Sequence, residues 1–407
     1  MPAGLAASAG RFSLLVLIAA FVAVALFALS FAEVASRFDR TGGPQLFAEA
    51  AFGPLAGFTV GWLFAVSRVA VFGAIAHVML DYTAVLWPAL EGRWPRALAI
   101  TVFIAALAAF NLRGVTRGAM IGNLLTAAKL LPLLPVALAG LWLAGWNDIP
   151  ATAPQEPGGL AKGLLLALFA CTGFEVATIV AGEMRDPRRD LAPAILGGLA
   201  IACALYLLLM LACFALLPDP AASSRPLADI AEALVGPAGS VLMAMAAVFS
   251  CAGGLAGQML VAPRILFALG ESGDLPRGLA SVHPGRRTPH VAIVVVAMLA
   301  WLLAISGTFL YLVTVFVIAR MVAYGATSAA LIVLRLRNGP APVAVPGGPI
   351  IAAAALVCGF AIVLSTSWVA VRDVVIALTI GLAIRAWVRS RAKGSKVSGL
   401  PKLPSGG

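Results

Sequence analysis

Charge is scarce in this chain: of 407 residues only 11% are Asp, Glu, Lys or Arg. Soluble globular domains carry about 25%, so a water-facing surface cannot be built along most of this length. Histidine is scarcer still, with His77, His283 and His290 making no obvious cluster; His77 sits in an apolar run, where a helix-packing role is expected. Five cysteines (Cys171, Cys203, Cys213, Cys251 and Cys358) all fall in apolar segments, without a Cys-x-x-Cys spacing and in odd number. A disulfide framework and a metal site are therefore not expected, and nothing calls for a cofactor. The beginning of the chain has no charged region and cleavage site of a signal peptide, so removal of a leader is not expected and the first helices must direct insertion.

Apolar sequence fills the space. Hydrophobic residues make up 62% and the mean hydropathy is +1.02, values that select lipid as the solvent. A hydrocarbon core about 30 Å thick needs roughly 20 mostly apolar residues per helix. Runs of that kind lie near 11–36, 55–87, 95–111, 117–145, 160–182, 191–217, 239–270, 289–306, 308–334, 348–367 and 368–388. Met1 to Gly10 is left over and, at about 1.5 Å per residue, reaches only halfway across. The formal charge of +11 would suggest nucleic acid in a soluble protein; here it sorts onto loops. Alternate loops collect eighteen Lys and Arg residues, from Arg37 to Lys402, against six on the other side (Arg11, Arg93, Arg96, Lys162, Arg225 and Arg372). Cationic loops resist translocation, so the first set, with the C-terminus, is expected in the cytoplasm. The basic tail 390–407 is expected to be a solvated end. Arginine outnumbers lysine 23 to 5 and Ala and Gly abound, as in GC-rich bacterial genomes, which makes a bacterial inner membrane the expected location.

The informative residues break the apolar rule. Arg68, Lys129, Glu175 and Arg320 lie near mid-span, where ionisable groups are costly and face a cavity or a partner inside the bundle. Each admits two readings, a structural ion pair or a role in transport. A second break is in the backbone pattern: Phe169-Ala-Cys-Thr-Gly-Phe-Glu175 puts small and β-branched residues and a glycine in the middle of an apolar helix. An unwound turn there would offer N–H and C=O groups to the amine and carboxylate of a solute, with half-helix dipoles assisting. A small-residue packing face is the other reading.

Several segments, in order, resemble the amino acid–polyamine–organocation (APC) superfamily of permeases. They are Glu33-Val-Ala-Ser-Arg-Phe-Asp-Arg-Thr-Gly-Gly-Pro44 with Glu49-Ala-Ala-Phe-Gly-Pro54 and Gly57-Phe-Thr-Val-Gly-Trp62; Phe169 to Glu175 with Gly182-Glu-Met-Arg-Asp-Pro-Arg-Arg-Asp190; and Pro263-Arg-Ile-Leu-Phe-Ala-Leu-Gly270 before Asp274-Leu-Pro276 and Thr288-Pro289. The likeness covers residues 1 to about 390. It implies an all-α polytopic membrane protein: an inverted five-helix repeat (LeuT-like) with two additional C-terminal helices. The first repeat would be 1–145, from the outer half of helix 1 to helix 5; the second 160–336, helices 6–10; 348–389 would be peripheral helices 11 and 12.

On that resemblance the helix-six break falls at Ala170 to Phe174, so that Ala170, Cys171, Thr172, Gly173 and Phe174 bind substrate, and Phe169 stands where relatives carry an aromatic gate. Phe72 and Ile75 in helix three and Gln258 in helix eight would face the site. Glu175 matches a helix-six glutamate that can sense protons, with a bracing ion pair as its other role. Lys129 in helix five matches an amine that, in some proton-coupled relatives, replaces a bound sodium ion; an ammonium in a low-dielectric interior gives up its proton more readily than in water. Arg68 and Arg320 resemble arginines of one permease branch and are expected to act as structural bridges.

The family's helix one has an inner half and a Gly-Ser-Gly-Ile-Phe-like break, and Met1-Pro2-Ala3-Gly4 starts just after that point. A start assigned too far downstream, or a permease that has lost substrate binding, would both give this pattern; the first is expected. The function implied is secondary active transport, in which a neutral or hydrophobic amino acid enters with protons. The alternatives are uncoupled exchange of amino acids or polyamines and a transport-inactive homologue. Enzyme chemistry is not implied. The partners expected are an amino acid, protons and the lipid bilayer, without nucleic acid; oligomeric state is not specified by the sequence.

Overall fold

The computed structural model describes residues 2–38, 43–114, 118–143, 158–179 and 187–397, the side chains of 118–129, 179, 187–189 and 392–397 excepted. The described residues form helices joined by turns, in the order α1 (Pro2–Ala9), α2 (Ser13–Ala35), α3 (Pro44–Phe52), α4 (Pro54–Leu86), α5 (Arg93–Arg113), α6 (Gly118–Leu143), α7 (Gly159–Cys171), α8 (Glu175–Ile179), α9 (Pro187–Leu216), α10 (Pro226–Val235), α11 (Pro237–Glu271), α12 (His290–Ser306), α13 (Phe309–Asn338), α14 (Gly348–Leu364) and α15 (Trp368–Val397). Seven stretches are long and apolar enough to cross a membrane, and the pair α14–α15, bent by 111°, makes an eighth candidate. Leu130–Leu143 and His290–Ser306 are shorter apolar helices. The count is lower than the eleven runs seen in sequence because α14 and α15, two of those runs, make one bent candidate and because Leu130–Leu143 and His290–Ser306 fall short of spanning length, while Pro2–Ala35 counts as one stretch of 34 residues.

That stretch is not one straight rod. In a continuous helix residues eight apart lie about 12 Å apart along the axis, yet Ser13 Oγ donates to the carbonyl of Leu5 at 3.1 Å and to that of Gly10 at 2.6 Å. The chain folds back through the 3-10 turn Gly10–Phe12, where Gly10 has φ +50°, so α1 is a separate short helix packed on α7.

Burial follows helical periodicity on two faces. On α2, Leu17, Phe21, Val24, Ala28 and Phe31 are buried, while Leu15, Ile18 and Val22 are exposed. An apolar exposed face opposite an apolar buried one is the pattern of a helix between protein and lipid. The central helices are α4 and α13, 78% and 67% buried over their apolar windows, whereas α5 is 11% buried and turns Trp94, Leu98, Val102 and Phe110 outward. Where α6 crosses α9, a Cβ on Gly140 would strike the backbone of Leu208 and Ala212, the close approach that small residues permit in membranes.

A piece of grammar occurs twice. Glu49-Ala-Ala-Phe-Gly-Pro54 and Glu232-Ala-Leu-Val-Gly-Pro237 each end a short helix, turn at a glycine with positive φ (Gly53 +90°, Gly236 +78°) and start a long helix with proline at its first position. In both, the glycine N–H donates to the glutamate carbonyl four residues back at 2.8 Å. Proline lacks the donor that a helix start cannot use, and glycine takes the left-handed turn that other residues resist.

Polar clamps tie the bundle near the helix ends. Buried Glu33 accepts from Arg335 Nε at 2.7 Å, Arg335 Nη2 at 3.1 Å and the Val345 N–H at 2.9 Å. Asp274 pairs with Arg385 at 2.7 Å and Arg389 at 2.8 Å, and Arg96 with Asp81 at 2.7 Å. Arg335, Arg385 and Arg389, counted above as loop charges, are thus helix residues with assigned partners. His77 Nε2 lies 3.1 Å from the Gly307 carbonyl, joining α4 to the α12–α13 connection. Helix α15 runs to Val397, past the span end expected near 388.

Candidate functional site

The helix that carries Phe169 to Glu175 is interrupted. Helix α7 ends at Cys171, Thr172 is extended (φ −79°, ψ 160°), Gly173 has φ +117°, and α8 resumes at Glu175. Gly173 has no atom within 4 Å of a would-be Cβ, so it is the backbone angle, not space, that calls for glycine. Thr172 Oγ1 turns back to the Phe169 carbonyl at 2.8 Å, capping the broken end. The last carbonyls of α7 are left without the amides a continuous helix would supply.

Directly below the break lies Glu175, fully buried. Its Oε1 accepts from Arg320 Nη1 and stands 3.8 Å from Arg68 Nη2. Its Oε2 accepts from the Tyr324 hydroxyl at 2.7 Å and from the Gly173 N–H at 3.0 Å. Every partner donates or is cationic, an arrangement complementary to a carboxylate. The two guanidiniums share one aromatic ring: Phe64 lies 5.0 Å from Arg68 and 4.1 Å from Arg320, cation–π contacts that offset part of their desolvation. Arg68 Nη1 donates to Gln258 Oε1 at 3.0 Å. The expected bridges therefore have a common centre, Glu175, linking α4, α8 and α13.

A cavity of about 510 Å³ opens beside this network, lined from α1, α4, α6, α7, α8, α9, α10, α11 and α13, within the size range of small-molecule sites. Of the expected substrate-binding residues, Phe169, Ala170, Thr172, Gly173, Ile75 and Gln258 line it, and so do Glu175, Arg68 and Arg320. Phe169 stands edge-on to Phe309 and Phe316 at 6.0 and 5.5 Å, and Tyr206 reaches the Ala170 carbonyl at 3.4 Å.

Three expected residues are elsewhere. Cys171 is buried in the apolar core. Phe174 packs on Phe31 and Tyr324, with ring centroids 5.3 and 5.1 Å apart. Phe72 belongs to a stripe of α4 (Ala65, Val69, Phe72, Ala76 and Met79) packed with residues of α11 and α12. The cavity stripe of the same helix is Arg68, Val71, Ile75, Val78 and Tyr82; one residue rotates a helical position by about 100°, enough to carry Phe72 out of the site. Lys129 belongs to α6, in the stretch whose side chains lie outside the described residues.

Sequence reading missed Tyr324 and Phe64. Both carried a signal: Tyr324 follows Arg320 by four and Phe64 precedes Arg68 by four, the spacing that places side chains on one helix face.

Comparison with known proteins completes the picture. Residues 1–383 match the family model described as amino acid permease. The chain belongs to the amino acid permease family. The serine/threonine exchanger SteT of Bacillus subtilis (strain 168) is 30% identical over 278 residues, 65% of this chain and 62% of SteT. The branched-chain amino acid permease BcaP of the same organism is 27% identical over 382 residues, 88% of this chain and 81% of BcaP. The human b(0,+)-type amino acid transporter 1 is 26% identical over 327 residues, 77% and 66% of the two chains. The match to SteT thus spans about three fifths of that relative's length. These relatives are transporters, not enzymes. Among solved structures, the nucleobase-cation-symport-1 family transporter Mhp1, in a closed conformation with bromovinylhydantoin bound, aligns with a TM-score of 0.53 over 96% of this chain and 89% of that one at 15% identity. That likeness concerns the fold: the permease has the LeuT-like inverted-repeat architecture of a multi-pass membrane transporter.

Proposed function

We propose that this permease is a secondary active carrier that takes amino acids into the cell with protons, across a bacterial inner membrane and with its C-terminus in the cytoplasm. The observation that carries the reading is the interrupted helix α7–α8, whose unwound turn borders a cavity of about 510 Å³ in a chain of the amino acid permease family. Backbone donors and acceptors at such a turn suit the amine and carboxylate common to all amino acids. The two repeats are proposed to be 1–145 and 160–336, with 348–389 peripheral; the paired Glu-Ala-x-x-Gly-Pro turns, one in each, support that division. Phe169, Ala170, Thr172, Gly173, Ile75 and Gln258 are the proposed contacts.

Of the two residues proposed for proton coupling, Lys129 has the stronger case. Glu175 already has a set of donors that keeps it occupied as a brace, which leaves Lys129 as the residue to test first. Uptake into proteoliposomes with and without an imposed pH gradient tests the coupling: gradient-dependent accumulation that is lost in Lys129→Ala is expected, and gradient-independent uptake by the wild type would refute it. Exchange without a gradient is the second reading, favoured by the name of SteT, an exchanger; it requires amino acid inside the vesicles. Polyamines fit poorly, because two guanidiniums against one carboxylate border the cavity.

A further inference from the structure

The two arginines at the cavity are not equally provided for. Arg320 takes the Glu175 carboxylate in a direct hydrogen bond. Arg68, with a side chain only 7% exposed, receives a neutral acceptor, the Gln258 amide oxygen. Its Nη2 stands 3.8 Å from Glu175, beyond hydrogen-bond reach, and both Nη2 and Nε lack any hydrogen-bond partner. Among the described residues lining the cavity, Arg68 and Arg320 are cationic and Glu175 is the one anion, so the wall carries one uncompensated positive charge. A guanidinium does not lose its proton to relieve this. It needs a second anion.

The residue covering Arg68 is placed to move. Gln258 is half-buried on α11, flanked on the same helix by Gly254 and Gly257. Both glycines are exposed, and nothing lies within 4 Å of a Cβ built on either. Gly254, one turn before Gln258, lines the cavity with it, so the cavity wall beside Gln258 carries no side chain on that turn.

We propose that Arg68 is a specificity-determining residue that binds a carboxylate on the side chain of the transported amino acid, the carboxylate taking the place held by the Gln258 amide oxygen. The site then selects acidic amino acids over their neutral isosteres and rejects cationic ones. This rests on the amino acid transport reading above and narrows its substrate class. A carboxylate suits the position because it neutralises the excess charge and can accept from two guanidinium nitrogens at once. The α-carboxylate is the other source of the same chemistry, and isosteric ligands separate the two.

The test is competitive binding of L-glutamate, L-glutamine, L-leucine and L-lysine to the full chain in lipid nanodiscs. L-Glutamate should bind about tenfold or more tighter than L-glutamine, the scale of one charge-assisted hydrogen bond, and L-lysine should not compete. In Arg68→Gln the glutamate-to-glutamine ratio should fall to near one, and Arg68→Lys should restore part of it. Gln258→Ala, which leaves every charge in place, should raise the ratio by removing the amide to be displaced. A wild-type ratio of one or below overturns the proposal. So does equal loss of both ligands in Arg68→Gln with an unchanged ratio in Gln258→Ala, which assigns Arg68 to the α-carboxylate or to folding. If L-glutamine and L-leucine bind but L-glutamate does not, this inference alone fails. If none of the four binds, the amino acid reading fails and takes it along.

Discussion

Replacing Glu175 by glutamine tests the brace at its centre. The substitution keeps the side-chain shape but leaves Arg68 and Arg320, 6% and 2% exposed, with no carboxylate between them. It also exchanges one acceptor oxygen for an NH2 group in a site where Arg320, Tyr324 and the Gly173 N–H all donate. Removing one partner of a buried ion pair costs about 3–5 kcal/mol, because the remaining charge stays desolvated and unpaired. At about 2 °C per kcal/mol, the lower end of the range for domains smaller than this one, the apparent Tm in detergent should fall by roughly 6–10 °C. Part of the loss should be recovered in Glu175→Gln/Arg320→Gln, which returns the site to one net positive charge. A coupling of about 1–3 kcal/mol is expected for groups in direct contact. The assay is thermal unfolding of the four proteins of the cycle, followed by tryptophan fluorescence. A Tm within 2 °C of wild type for the single variant, by comparison with the shift just worked out, or strict additivity in the cycle, would refute the reasoning.

Two further substitutions probe the break and a peripheral clamp. Gly173→Ala meets no neighbour but is forced to φ +117°, so only backbone strain of about 1–3 kcal/mol is added; the protein should fold with a modestly lower Tm while uptake into proteoliposomes drops sharply, and wild-type uptake would contradict the assigned turn. Asp274→Asn leaves buried Arg385 without its carboxylate and should cost about 3 kcal/mol, whereas Arg389→Met, at a side chain 47% exposed, should cost under about 1 kcal/mol. Tryptic cleavage near the end of α15, faster in the first variant than in the second, is the readout, and equal rates would count against the clamp.

How legible the fold was depends on what each helix had to say by itself. Apolar runs and their exposed partners are local properties, and they announce membrane helices without any knowledge of neighbours. The break was legible for the same reason: Thr172 and Gly173 interrupt their own helix. The turn at Gly10–Phe12 was legible as a boundary, since the apolar run restarts at Arg11, but not as a reversal, which the hydrogen bonds from Ser13 back to Leu5 and Gly10 reveal. Phe72 shows the limit of naming a helix without naming its face. The cavity stripe and the core stripe of α4 are both apolar, and in lipid-facing or bundle-facing helices hydropathy does not distinguish one face from another.

The site residues were legible as exceptions and illegible as partners. Arg68, Glu175 and Arg320 each stood out because a charge in an apolar run requires an explanation, but the sequence separations between them, 107 and 145 residues, leave pairing to the fold. What sequence does carry is the immediate helical context of each charge. Phe64 below Arg68 and Tyr324 above Arg320 are four residues away on the same face, and both complete the network: the ring lies against both guanidiniums and the hydroxyl takes the second oxygen of Glu175. A buried charge in a membrane helix is thus better read together with its i±4 neighbours than alone, since a helix that must desolvate a charge can place part of the compensation within one turn. The part it cannot place there has to come from another helix or from the solute. For Arg320 that part is Glu175; for Arg68, which hydrogen-bonds Gln258 and reaches Glu175 only at 3.8 Å, the difference is what the proposal assigns to the solute.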